Sequence, residues 1–478
     1  MIDTTSRRNG LWGLSFILIF SVCLCWPMFV SGQLLTFYDT RSYLRGGEKI
    51  WDILFQLLST STAEQGTVTG SEGVPTALTV NEVGRNVSGR SFPYSAFAIT
   101  AFKIGGPVGL ALAQAAIATI MIAYLVTREA RQSPLILAIG AVFVAGVTAL
   151  PWYSTFLMPD IFGAFVVLFG IILVRDIDHF GFWATCLLLG IAGFSATAHY
   201  GFMPLMFGVV LVALVIRLIR SRLSWKSIIA GFVAVSFAPL INLGASSAVL
   251  KEPSMAPRRL PIILSRSISD GPALWYLQEV CPDAGYAMCD AYGDNLKANT
   301  NWFLWSDEGV LSLPKEQLDR IRDEEFAVVW GAFLTYPIEQ TQSLFRHVYL
   351  QLFRVGLSEI QLSDAISDSY DPVPAESSYG ENLRNQFDYV IPIATLASVV
   401  ILIGAVVVFG ITARWFDMLA VLALGYLGNA AVFGGLSAPI DRYQGRTAWL
   451  IPVLAFLFLA EAITRRRHAR RAVQKMHT

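Results

Sequence analysis

The segment Tyr38-Asp39-Thr40-Arg41-Ser42-Tyr43 directly follows an apolar run, and a second acid, Asp160 in Met158-Pro159-Asp160, directly precedes a later one. A carboxylate drawn towards hydrocarbon costs roughly 2.5 kcal/mol or more, so acids kept at the ends of apolar runs invite a chemical reading. When well placed, an ionised carboxylate serves as base for a hydroxyl nucleophile. Asp39 takes that reading; the alternatives are a pair with Arg41 or a cap on the helix that follows. Asp160 reads as a second acid, a metal ligand or an orienter of an acceptor, and it equally suits the N-cap of the next apolar run. Arg442 and Arg446, in Asp441-Arg442-Tyr443-Gln444-Gly445-Arg446, stand four apart and share a face if that stretch is helical. Guanidinium forks match phosphate oxygens, which makes this pair a candidate for a lipid phosphate or diphosphate. Arg41, Arg90, Tyr94, Lys103 and Tyr443 fall on the same side and extend the candidate binding set. His199, in Ala198-His199-Tyr200, reads as a polar contact or proton donor, or as an interfacial histidine.

The elements that must position these residues are membrane helices. Hydrophobic residues make up 54% of the chain, mean hydropathy is +0.55, and apolar runs long enough to cross a bilayer recur along it. Backbone in lipid must satisfy its own hydrogen bonds, so the expected fold is an all-α polytopic membrane protein. Ten spans fit hydropathy and charge, within a range of nine to twelve: about 11–31, 107–127, 133–151, 161–175, 181–198, 202–217, 227–249, 390–411, 416–434 and 447–463. The run after Arg7 and Arg8 is expected to be retained as a signal anchor. Formal net charge is zero, yet Arg128 and Arg131, Arg175, Arg217 to Lys226, Arg414 and Arg465 to Arg467 fall in alternate short loops. The positive-inside rule places these loops and both termini in the cytoplasm, so topology, not nucleic acid, accounts for the basic clusters.

Three regions follow: 1–250, an N-terminal membrane region with an outer loop at 32–106; 251–389, an outer (periplasmic) insertion; and 390–478, a C-terminal membrane region with a basic tail. In the first outer loop, Ile50, Ile53, Leu54, Leu57 and Leu58 recur at helical spacing and predict a helix lying in the membrane interface. Residues 60–90 read as a loop, and the stretch from Gly89 to Tyr94 opens a second interfacial helix before the true span. Asn86-Val87-Ser88 matches a glycosylation sequon, discounted here because the chain has a bacterial look. Within the insertion a helix is expected from Pro314, an amphipathic return at Leu344 to Leu352, and an exposed loop over 364–379. Cys281 and Cys289 share this outer segment, where an oxidising compartment points to a short-loop disulfide and, less well, to a metal pair with no histidine near. Cys23, Cys25 and Cys186 lie in apolar runs as small inert residues. No phosphate-binding P-loop, GxSxG, HExxH or paired CxxC occurs, which removes support for ATPase, ordinary hydrolase and zincin chemistry. No inverted repeat of the transporter kind is evident.

The order of these features is basic N-terminus, span, outer loop with an early acid and interfacial helices, second acid before a later span, and large outer insertion. It resembles the GT-C membrane glycosyltransferases, a class similar to protein O-mannosyltransferases and the aminoarabinose transferase of lipid A. The segment from Asp441 to Trp449 also looks like one in bacterial members of that class. The likeness covers about residues 1–220 and the last outer loop. It implies an enzyme of the bacterial inner membrane that moves a sugar from a polyprenyl-phosphate donor to a lipid or glycan acceptor at the periplasmic face, with inversion. Asp39 maps to the catalytic acid of the first loop and Asp160 to that of the second. The chain departs from the family where Asp39 is followed by Thr40 and Arg41, without an Asp-Glu or Asp-x-Asp pair, which leaves any divalent metal open. The reading from another class is a transporter or flippase of lipid-linked sugars. Charges of that kind sit near the bilayer midplane, whereas here they crowd one end.

Overall fold

The computed structural model describes residues 15–62, 90–126, 134–250, 253–281 and 283–476. Arg7, Arg8, the sequon at Asn86, most of the 60–90 loop, Arg128 and Arg131 lie outside the described residues. Helices dominate the rest. Six of them are long and apolar enough to cross a membrane: Phe92–Val126, Phe202–Ile219, Trp225–Ala248, Ser378–Phe409, Ala413–Gly435 and Arg442–Arg466. Where the other expected spans fall, the structure has shorter apolar helices: Ser15–Leu24, Ala138–Val147, Ile161–Arg175 and Phe182–Thr197. These lengths and compositions are those of a multi-pass membrane protein. The Ser378–Phe409 helix carries Ile393, Leu396, Val400, Ile403 and Val407 exposed along one stripe, with Ile391, Thr395, Ser398 and Ala405 buried opposite. A continuous exposed apolar stripe of that kind suits lipid, not water.

The Ile161–Arg175 helix is the axis of the bundle. All of its 15 residues are buried, packed by the Phe202–Ile219, Ala413–Asn429 and Phe182–Thr197 helices. Gly170 and Gly425 permit this closeness, because a Cβ on Gly170 would meet Val209 at 2.1 Å and one on Gly425 would meet Val167 at 2.9 Å. Fifteen residues at 1.5 Å each span only about 22 Å, against a hydrocarbon core of about 30 Å. Asp160 stands at the start of this axis.

The Phe92–Val126 helix is broken at Gly105 (φ −142°) and Gly106 (φ 63°, ψ −158°), just before Pro107. This separates the segment from Phe92 to Ile104 from the apolar helix beyond, at the position where the sequence places the start of the true span. The amphipathic Thr40–Thr62 helix lies across the first segment. The crossing is close: a Cβ on Gly47 would sit 2.2 Å from the Ser95 carbonyl oxygen and 2.8 Å from Ile99. Trp51 Nε1 donates to Thr100 Oγ1 across the same contact (3.0 Å).

Three short strands tie distant segments together. Leu34–Thr36 (β1) pairs antiparallel with Gln361–Ile366 (β2), which pairs antiparallel with Pro372–Pro374 (β3). Leu35 also forms a parallel bridge to Phe156. The expected loop over 364–379 is thus partly a hairpin. Its two prolines are accommodated because β3 is an edge strand, where a missing N–H leaves no ladder bond unmade. Between Leu260 and Ala332 a second apolar core forms, built on Leu264, Ile268, Leu277, Phe303, Leu318, Ile321 and Val328. Its long helix, Lys315–Thr335, starts immediately after Pro314, as the sequence predicts. Cys281 and Cys289 are disulfide-bonded with Cα atoms 5.5 Å apart.

Candidate functional site

The first acid is set by main-chain pairing. Leu157 N–H donates to the Leu35 carbonyl (2.9 Å), and Thr40 Oγ1 donates to the Leu157 carbonyl (3.2 Å) while accepting from Phe37 N–H (3.0 Å). These bonds join the turn carrying Asp39 to the turn that ends in Asp160. Arg90, just before the Phe92–Val126 helix, forms an ion pair with Asp39 Oδ1. The Arg90 guanidinium also lies 5.9 Å from the centre of the Tyr43 ring, and its carbonyl accepts from Tyr200 Oη (3.3 Å). Ser91 fixes this helix start by donating to the Thr197 carbonyl (2.6 Å) and accepting from Tyr94 N–H (3.2 Å).

Asp160 is 3% exposed, and its side chain makes no capping hydrogen bond to the helix it precedes. It faces arginines instead. Arg446 Nη1 donates to Asp160 Oδ1 at 3.3 Å, and Arg442 Nε lies 3.8 Å from the same oxygen. Both arginines belong to the Arg442–Ala448 helix, so the four-residue spacing does place them on one face. Their roles differ. Arg446, 1% exposed, also donates to Asn429 Oδ1 (3.0 Å) and lies 3.8 Å from the centre of the Phe433 ring and 4.7 Å from that of Phe202. It clamps the bundle through these contacts, and its Nε has no hydrogen-bond partner among the described residues. Arg442, 7% exposed, stacks over Phe37 (4.2 Å) and Tyr443 (5.4 Å), and its Nε and Nη1 have no hydrogen-bond partner among the described residues. Asp160, Tyr443, Asp39 and Tyr43 all lie within electrostatic reach of it. A buried guanidinium with unused donors is costly unless an acceptor arrives.

Residues not singled out in the sequence hold this arrangement. Glu359 accepts from Asp441 N–H (3.2 Å) and Arg442 N–H (3.0 Å), and so caps the helix that carries both arginines. Burial, reinforced by Asp441, pushes the Glu359 carboxyl above the usual range. Gln351 bonds Ile440 at both ends of its amide (2.9 and 3.0 Å). Asn429 donates to the Tyr443 carbonyl and to Gln444 Oε1 just before the π-helical segment Ala430–Gly435, which brings Phe433 against Arg446. Gln114 donates to the Ser154 and Phe156 carbonyls and accepts from Tyr94 Oη (3.0 Å). Amides inside apolar runs are the signal that could have found Gln114 and Asn429, since an amide buried without partners is expensive.

The other expected ligands divide. Tyr94 is fully buried with its hydroxyl given to Gln114, so it is framework rather than a ligand contact. Its ring packs edge-on against Tyr43 (5.0 Å). Burial raises the Tyr43 hydroxyl above the ordinary phenol range despite Arg90 beside it, so Tyr43 stays neutral. His199 Nδ1 accepts from Gly201 N–H (3.1 Å). Withdrawal from water, and then Arg446, Arg442 and Arg90, hold its imidazole well below its usual value, so at neutral pH it carries its one proton on Nε2. Arg41 and Lys103 leave the cluster: Arg41 pairs with Asp371 (2.8 Å), and Lys103 with Glu48 (3.7 Å). The side of a helix on which a lone basic residue falls depends on packing that spacing alone does not report.

Asp39 and Asp160 are both committed to arginines. Among the described residues no three His, Cys, Asp or Glu side chains converge as metal ligands. With both carboxylates taken by guanidiniums, the described residues do not fit a divalent-metal centre. What remains is a site with two carboxylates, one partly open, and buried guanidiniums with donors to spare, most of them on Arg442. Compared with known proteins, the chain matches no family model, no curated protein and no solved structure.

Proposed function

We propose that this chain is an integral-membrane glycosyltransferase of the GT-C type. It moves a sugar from a polyprenyl-phosphate donor to an acceptor at the periplasmic face of a bacterial inner membrane, both termini being cytoplasmic. The observation that carries this reading is Arg442: buried, paired loosely with Asp160, within reach of Asp39, and with Nε and Nη1 unused. A phosphate supplies the missing acceptors, and arginine matches its oxygens in geometry and charge. Asp160, buried beside Arg442, keeps that guanidinium in place for the phosphate.

In this mechanism Arg442 binds the donor phosphate, and Asp160 with Arg446 keeps the Arg442 guanidinium in place. Asp39 accepts the proton of an acceptor hydroxyl. The freed oxygen attacks the anomeric carbon on the face opposite the phosphate. The carbon–oxygen bond to phosphate breaks, its electron pair leaves on the lipid phosphate, and the sugar configuration inverts. Arg442 stabilises the charge that grows on the leaving oxygen, in a place where water competes little. Tyr43, buried and neutral, adds a wall beside Arg90 without adding charge.

The test is the fate of the donor. The reconstituted chain, given polyprenyl-phosphate sugars with a labelled anomeric carbon, is expected to release polyprenyl phosphate and yield a product of opposite anomeric configuration by NMR. Retained configuration would overturn the single-displacement mechanism. Translocation of intact donor with no bond cleaved would instead establish the flippase.

A further inference from the structure

Next to Asp39 lies a cavity of about 580 Å3 that the donor chemistry does not use. That volume is typical of a small-molecule site. It is lined by Tyr38 and Arg41, by Ser363 of β2, by Asp371 with Pro372 at β3, and by Glu381 and Arg384. We propose that this cavity binds the acceptor, and that the acceptor is the hydroxyl-rich end of a glycan. The assignment rests on the glycosyltransferase reading and gives that reading its second substrate.

Placement comes first. Tyr38 and Arg41 bracket Asp39 in sequence, and Tyr38 is its immediate neighbour, with Cα atoms about 3.8 Å apart. Asp39 itself turns to Arg90 and lies within reach of Arg442. The proposed base thus stands where the cavity wall meets the proposed phosphate site.

The chemistry of the walls then selects the occupant. Tyr38 is 76% exposed, an aromatic ring packed against Phe37 (5.5 Å between ring centres) that still presents apolar surface suited to the C–H face of a sugar ring. Around it the polar groups are planar and tied down. Asp371 is held by Arg41 (2.8 Å) and Arg45 (3.1 Å), while Arg384 is held by the Ile360 carbonyl (2.7 Å) and Glu381 (3.4 Å). Fixed carboxylates and guanidiniums offer acceptors and donors to neighbouring sugar hydroxyls at little ordering cost. A lipid chain would strip water from these charges and return no hydrogen bonds. An extended peptide finds poor purchase on the β3 edge, because Pro372 and Pro374 have no N–H to offer it.

The experiment uses the full chain in nanodiscs and a panel of neutral soluble oligosaccharides built on hexoses and N-acetylhexosamines. Binding is read by calorimetry without donor, and transfer by the labelled donor. At least one oligosaccharide is expected to bind the wild-type protein. Tyr38→Ala and Asp371→Asn are each expected to raise its Kd and its KM as acceptor about tenfold, leaving the KM for donor alone. Both positions are exposed enough that a melting curve matching wild type will show the variants folded. The proposal is overturned if no oligosaccharide binds, if the variants bind as wild type does, or if a peptide or lipid acceptor is used equally well by both. Oligosaccharide binding that depends on Tyr38, in a protein that never cleaves donor, would leave the cavity assignment standing and remove the glycosyltransferase reading.

Discussion

At the scale of single residues, the account separates charges that meet a ligand from charges that hold the site. Arg442→Gln keeps a polar side chain but removes the phosphate-matching fork. It is expected to weaken donor binding by about a hundredfold, the loss of a charge-assisted pair worth roughly 2–3 kcal/mol, measured by titration of the donor. Asp160→Ala acts differently, because it leaves Arg446 buried without its carboxylate. Breaking a buried pair on one side costs about 3–5 kcal/mol, so this variant is expected to melt earlier in detergent as well as lose activity. His199 sets a pH dependence. Its folded value lies below the ordinary histidine value of about 6.5, so the unfolded chain takes up its proton first as pH falls. Stability is therefore expected to be flat above about pH 7 and to decline below about pH 6.5. His199→Gln should flatten that decline in a detergent melt. Asp39, Asp160 and Arg442 were legible in the sequence because charges at the ends of apolar runs are conspicuous. Glu359 was not, since its role as a cap depends on a segment more than eighty residues away.

At the scale of elements, close backbone contacts aim the side chains. Gly47 lets the Thr40–Thr62 helix lie on the segment from Phe92 to Ile104, with no room for a Cβ beside the Ser95 carbonyl. Gly47→Val is expected to push the two apart, cost about 1–3 kcal/mol by overpacking, and lower transfer more than donor binding, because Asp39 moves with the helix. Kinetics and a melting curve on the same preparation check both halves. Much of this level could be read in advance. The Ile50 to Leu58 periodicity gave the first helix, and the span expected from residue 107 begins just after the break at Gly105 and Gly106. The β1–β2–β3 sheet could not be read, because Leu34–Thr36 is too short to show a pattern and its partner lies in a proline-bearing stretch that looks like loop. The partners of Arg41 and Lys103, Asp371 and Glu48, could not be read either, because they are fixed by how segments pack, not by spacing.

At the scale of the molecule, a short buried axis carries Asp160 at one end and Arg175 at the other, and a second apolar core forms between Leu260 and Ala332. The disulfide pins part of that second core. Replacing Cys281 and Cys289 by serine removes a loop constraint worth about 2.5 kcal/mol, and is expected to expose the 260–332 segment to protease while the membrane bundle keeps its melting point. We propose that one site, with Asp39 as base and Arg442 on the phosphate, transfers a sugar. The most direct measurement is turnover of radiolabelled polyprenyl-phosphate sugars by the reconstituted wild-type chain and by Asp39→Asn. The account predicts sugar transfer by the wild type, and its loss in a variant that remains folded and still binds donor. Full transfer by Asp39→Asn, or no donor cleavage by the wild type under any acceptor, would contradict it.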